Sequence, residues 1–125
     1  MNIQKILLVD DEPDIRTVGT ISLADVGGFE VITASSGGEA IERARADRPD
    51  LILLDVMMPG TDGPTAMKTL AGDPETASIP VIFMTAKVQK SEVERFCALG
   101  ALGVIAKPFD PMALPDEVRR LTEGR

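Results

Sequence analysis

Histidine, tryptophan and tyrosine are absent from this chain of 125 residues, and cysteine occurs once. Without histidine there is no ordinary general base, no histidine-containing triad and no imidazole ligand for a metal. Chemistry, if there is any, has to run on carboxylates, lysine or hydroxyls. Four phenylalanines make up the whole aromatic complement, which leaves few flat faces on which a flavin or a single-stranded nucleic acid could stack. Cys97 has no second cysteine for an internal disulfide and no histidine with which to share zinc, so it is expected as a packed core thiol. Apolar runs all fall far short of the ~20 residues that cross a bilayer. The opening Met1-Asn2-Ile3-Gln4-Lys5 also lacks the layout of a signal peptide. A cytoplasmic protein without membrane contact is expected.

Basic residues are the minority charge: 13 Lys and Arg against 20 Asp and Glu give a formal net charge of -7. That balance argues against direct nucleic-acid binding, which needs clustered cations, and suits a metal ion or a basic partner surface. What is present is ordinary for a globular chain, with 44% hydrophobic and 26% charged residues. A chain of this size buries roughly two-thirds of its unfolded surface around one core, so residues 1–125 are expected to form one domain.

Short apolar runs recur at Lys5–Val9, Glu30–Ala34, Leu51–Leu54, Pro80–Met84 and Leu102–Ala106. Three of them are apolar nearly throughout, the pattern of strands covered on both faces by helices in a parallel sheet. The segments between carry helix signals. Ser36 with Glu39, and Ser91 with Glu94, match the capping box. Pro13, Pro64 and Pro115 sit where a first helical turn tolerates a missing N–H. Ile15, Val18, Leu23 and Val26 are predicted to share one helical face ahead of a stop at Gly27-Gly28, and Pro49 marks the end of the helix holding Ala40, Ile41 and Ala44. Five β–α units with no linker or repeat predict an α/β, doubly wound parallel sheet with helices on both faces. Its ligand site should lie beyond the carboxyl ends of the strands.

Polar residues mark those ends. Asp10-Asp11 follows the first strand, Asp55 the third, Thr85 the fourth and Lys107 the fifth. Singly, each has a plain alternative: Asp11 could cap a helix, Thr85 could open a turn, and Lys107 could be solvated. Together at one sheet edge they make a cluster of acids that repel one another until a cation neutralises them. All-oxygen ligands suit Mg²⁺, with Mn²⁺ as a substitute. An aspartate oxygen in such a site is a competent acceptor for a phosphoryl group, with an ammonium and a metal spreading its charge. Asp55 is then the natural nucleophile, Lys107 a point charge for one phosphoryl oxygen, and Thr85 a hydroxyl donor to another.

Four blocks, in this order and spacing, resemble the receiver domain of two-component response regulators: Val9-Asp10-Asp11-Glu12, Asp55 through Pro59 to Gly63, Thr85-Ala86, and Lys107-Pro108-Phe109. The resemblance implies a flavodoxin-like sheet of strand order 2-1-3-4-5. It further implies a phosphoacceptor at Asp55, Mg²⁺ on Asp10, Asp11, Asp55 and the Met57 backbone carbonyl, and a cis Lys107-Pro108 bond. Phosphoryl groups would come from a histidine kinase or a histidine phosphotransfer protein. A signalling module that also dephosphorylates itself is implied, rather than an enzyme acting on external substrates. Thr85, Ala86 and Val104 would form the switch, read by a protein target on the face built from the fourth helix, fifth strand and fifth helix. Val104 departs from the family, which often has Tyr or Phe there. Met57 and Lys87 flank the route by which water would reach the phosphorylated acid. A haloacid dehalogenase phosphatase would need a second Asp where Met57 stands. A nucleotide- or flavin-binding domain would need a Gly-rich loop where Asp10-Asp11-Glu12-Pro13 stands.

Overall fold

A computed structural model describes residues 1–123. Five strands, β1 (Lys5–Val9), β2 (Glu30–Ala34), β3 (Leu51–Asp55), β4 (Val81–Thr85) and β5 (Gly103–Ala106), alternate with α1 (Pro13–Ile21), α2 (Gly37–Asp47), α3 (Gly63–Ala71), α4 (Lys90–Ala98) and α5 (Leu114–Thr122). All strand pairs are parallel and the order is β2-β1-β3-β4-β5, the doubly wound architecture expected. Alternate side chains divide the core in two. Leu7, Val9, Ile52, Leu54 and Phe83 face Ala40, Ala66, Leu70 and Phe96 on one side. Ile6, Leu8, Leu53, Ile82 and Met84 face Leu23, Leu114 and Val118 on the other. Every residue of β3 and β4 is buried, which is why these strands read as unbroken apolar runs. The edge strand β2 is half-buried and mixed.

Local signals hold where the helix end is set by its own backbone. Ser36 caps α2, its Oγ accepting from Glu39 N at 3.1 Å, while the Glu39 carboxylate reaches back to the Ser35 amide at 2.5 Å. The Ser35 amide, and after it the Ser35 hydroxyl, hold the Glu39 carboxyl below its ordinary pKa. Ser36→Ala is expected to cost about 1 kcal/mol of unfolding free energy, read by urea denaturation. Pro13 opens α1, and Pro64 and Pro115 are second residues of α3 and α5. Arg48 turns the chain out of α2 with φ of 46°, just before Pro49, and Gly28 ends the α1 region with φ of 76°.

Three expectations fail, each for a tertiary reason. Helix α4 begins at Lys90 after Gln89, so Ser91 lies inside the first turn and cannot cap it. Cys97 is exposed, because its neighbour Phe96 turns inward to meet Phe83 at a ring separation of 4.9 Å. Adjacent helical residues point about 100° apart, so burying one turns the other out. Along α1 and the turn that continues it, Val18 and Val26 are 41% and 46% exposed while Leu23 is fully buried. Gly19 and Ser22 are buried in place of the two valines. The inward stripe is set by Leu8 and Phe109 pressing on Gly19, and a π-helical turn over Ser22–Val26 rotates the last part of the helix.

Candidate functional site: an acidic pocket at the strand ends

Strand register brings the predicted residues together. Val9 pairs with Leu54, so the residues that follow, Asp10 and Asp55, leave the sheet side by side. Asp55 pairs with Met84 and Thr85 with Ala106, which places Thr85 and Lys107 one step further along the same edge. Gly63 completes the floor. Its amide donates to the Val56 carbonyl at 3.0 Å, and a Cβ there would collide with the Asp55 carbonyl oxygen, so α3 can start this close to the acid only at a glycine.

Asp10 is fully buried and Asp55 is 3% exposed. Lys107 Nζ lies 2.8 Å from Asp10 Oδ2, 3.3 Å from Asp55 Oδ1 and 3.9 Å from Glu12 Oε1. Asp10 Oδ1 also accepts from the Glu12 amide at 2.9 Å, and Arg16 donates to the Asp10 carbonyl at 2.8 Å. Oxygens of Asp10, Asp11 and Asp55 all lie within 4.8 Å of one another. Thr85 is buried, and its Oγ1 accepts from the Lys87 amide at 3.1 Å. The Lys107 amide donates to the Thr85 carbonyl at 2.9 Å, and the Lys107-Pro108 peptide is cis.

Charge at this edge is unbalanced. Burial first, then the negative charge of Asp10, push the Asp55 carboxyl up to about 6 against the pull of Lys107. For Lys107 burial works against the charged form, but the hydrogen bond and charge of Asp10, with the charge of Asp55, outweigh it and raise its pKa. The ammonium therefore stays charged beside acids that outnumber it. One acceptor is left over: Asp55 Oδ2 is buried with no hydrogen-bond partner. Desolvated carboxylate oxygens of this kind are costly unless a cation meets them. The donor set fits a hard divalent ion, because it is all oxygen and holds more negative charge than Lys107 cancels.

A cavity of about 360 Å³ opens over Asp55 and is lined by Glu12, Ile15, Met57, Thr85, Ala86, Lys107 and Pro108. Met57 is 77% exposed at its rim. Val104 is not part of this lining. It pairs with Phe83 across the sheet and packs, half-buried, on the core face that holds Phe83 and Phe96. Glu12, Arg16 and Gly63 are the contacts that sequence reasoning left without a role. Glu12 and Gly63 stand inside the recognised blocks, whereas nothing local marks Arg16 as reaching back to Asp10.

A doubly wound sheet with a buried acid pair, a facing lysine and a hydroxyl at its carboxyl edge is the architecture of a two-component signalling domain. Residues 6–119 match the family described as the response regulator receiver domain, and the chain belongs to that family of two-component signalling domains. Receiver domains bind a divalent metal, and response regulators take phosphoryl groups from histidine kinases.

Among relatives, Protein PilH of Pseudomonas aeruginosa is 33% identical over 120 residues, covering 96% of this chain and 98% of that protein. The alkaline phosphatase synthesis transcriptional regulatory protein PhoP of Bacillus subtilis is 38% identical over 118 residues, covering 94% of this chain but only 48% of PhoP. The crystal structure of the Vibrio cholerae chemotaxis response regulator CheY4 superposes with a TM-score of 0.87 at 32% identity, over 96% of this chain and 99% of that one. The chain thus spans nearly all of some relatives and about half of others. Because a transcriptional regulator stands among them, the acidic charge gives no ground for excluding nucleic acid from a whole protein built on this domain. Among the described residues no helix is long and apolar enough to cross a membrane.

Proposed function

We propose that Asp55 accepts a phosphoryl group from a phosphohistidine of a sensor kinase or phosphotransfer protein, and that the resulting aspartyl phosphate is the signal. The Asp55 carboxylate carries this reading: it is buried at the base of an open cavity, with Oδ1 beside Lys107 and Oδ2 meeting no hydrogen-bond donor among the described residues within bonding distance. Asp10, Asp11, Asp55 and the Met57 carbonyl would hold Mg²⁺, or Mn²⁺ in its place, and that ion would neutralise charge on the phosphoryl oxygens. Asp55 attacks phosphorus in line. Lys107, at 3.3 Å from Asp55, moves from a carboxylate to a phosphoryl oxygen. Thr85, whose Oγ1 presently accepts from the Lys87 amide, turns its hydroxyl proton to a second phosphoryl oxygen.

That turn is the switch step. It pulls on the segment joining Thr85 and Ala86 to α4. Val104 on β5, packed beside Phe83, adjusts with it in place of an aromatic rotamer. The output surface is the α4–β5–α5 face, and its occupant is a downstream protein, reached by a population shift toward the phosphorylated shape. Self-catalysed hydrolysis of the aspartyl phosphate resets the module, with Met57 and Lys87 at the approach of water. Residues 1–125 act as one receiver domain, in the cytoplasm.

Incubation with acetyl phosphate and Mg²⁺ is expected to add one phosphoryl mass to the intact chain, and none with chelator or in Asp55→Ala. Amide resonances from residue 85 to 109 should shift in the labelled sample. Equal labelling of Asp55→Ala, or an unchanged spectrum across that segment, would overturn the reading.

A further inference from the structure

An in-line attack by Asp55 sends the leaving group away from Asp55 on the far side of phosphorus. Since Asp55 is 3% exposed at the base of the cavity, that direction is outward through the rim. The rim side chains Ile15, Met57, Ala86 and Pro108 carry no charge. Three charged residues line the cavity: Asp55, Lys107 and Glu12. The side chains of Asp55 and Lys107 are 4% and 14% exposed and belong to the phosphoryl end, whereas that of Glu12 is 63% exposed. Glu12 precedes α1, yet its side chain makes no capping hydrogen bond. Among the described residues its charge partner is Lys107, at 3.9 Å. The carboxylate therefore caps no helix and stands at the mouth of the cavity.

Resting on Asp55 as phosphoacceptor, we propose that Glu12 is a specificity-determining residue that selects phosphodonors by leaving-group charge, favouring phosphorus–nitrogen donors over acyl phosphates. In a phosphoramidate the departing nitrogen is protonated. The bond from Asp55 Oδ to phosphorus forms, the P–N bond breaks, and its electron pair leaves with the nitrogen as a neutral amine. In an acyl phosphate the P–O bond breaks and its pair leaves as a carboxylate anion. A fixed negative charge at the exit attracts the protonated nitrogen of the first donor and repels the carboxylate growing on the second. Phosphohistidine, a phosphorus–nitrogen donor, belongs to the favoured class.

The test is the rate of Asp55 labelling at saturating Mg²⁺, followed by intact mass with phosphoramidate and with acetyl phosphate, at low and high salt. Glu12→Gln is expected to lower the phosphoramidate-to-acetyl phosphate rate ratio roughly three- to tenfold at low salt, the scale of one charge acting over several ångströms near a wet surface. The effect should shrink as salt shortens the screening length. Glu42→Gln, which removes an equal charge from an exposed site on α2, should leave the ratio as it is. If Glu12→Gln changes both donors by the same factor, or neither, the inference fails while Asp55 labelling stands. If the unsubstituted chain labels with neither donor, the phosphoacceptor reading falls and this inference with it.

Discussion

With divalent cations chelated at pH 7, Asp55→Asn is expected to be more stable than the unsubstituted chain by on the order of 3 kcal/mol. Asp55 titrates near 6 in the folded protein against 3.8 for the free side chain, first because it is buried and then because Asp10 is charged beside it. Between those two values the native state binds more protons than the unfolded one, so stability falls as pH rises through the window. Below it the penalty vanishes; above it the penalty is complete. Removing the charge removes the penalty, which is already net of the attraction of Lys107 at 3.3 Å. The excess stability of Asp55→Asn should therefore fade as pH falls from about 6 to about 4. Saturating Mg²⁺ should shrink it too, since binding stabilises the acid-bearing chain preferentially. Urea unfolding across pH, with chelator and with Mg²⁺, measures both. Equal stability of the two chains at pH 7 without metal would show that Asp55 is not held against its charge.

Lys107→Ala should move stability the opposite way by a similar amount. Asp10 has no exposure, and Lys107 at 2.8 Å is the cation that meets it, the Glu12 amide being its other partner. Deleting one member of a buried pair strands the other, a loss of roughly 3–5 kcal/mol. The same deletion also removes the ammonium that offsets Asp55, so the penalty on that acid grows. Combining the two substitutions should recover part of the loss, with a coupling of roughly 1–3 kcal/mol, because both residues belong to one charge network. Mg²⁺ should restore more stability to Lys107→Ala than to the unsubstituted chain, unlike its effect on Asp55→Asn. A Lys107→Ala chain as stable as its parent without metal would mean that the Asp10 contact contributes nothing.

The two substitutions together separate a catalytic arrangement from a merely structural ion pair. A pair kept for stability would lose from either change. Here Asp55 is predicted to cost the fold stability and Lys107 to restore it, the signature of a site arranged for an incoming charge and not for its resting state.

Much of this was legible in the residue order. The strand at Leu51 could be read because four apolar residues precede Asp55, and a strand buried on both faces admits little else. Ser36 and Pro64 could be read because a helix start is satisfied by atoms within a few residues of it. The acids, the threonine and the lysine stand at strand ends in the sequence itself, and parallel strands bring such ends to one edge.

The inward faces of α1 and α4 could not be read in the same way. Val18 and Val26 are as apolar as Leu23, and Ser91 fits a capping pattern as well as Ser36 does. What chose between them was the docking of each helix: Phe109 and Leu8 against Gly19, and Phe96 against Phe83. Rotation about a helix axis is a tertiary variable, set by surfaces that come from distant segments. The same holds within the site. Residue order determined which groups would meet; only the register of β1, β3, β4 and β5 and the approach of α3 through Gly63 decided that Lys107 sits closer to Asp10 than to Asp55 and that Asp55 Oδ2 is buried without a protein hydrogen-bond partner. Distances of a few tenths of an ångström fix which charge is satisfied, and they exist only once the whole sheet has closed.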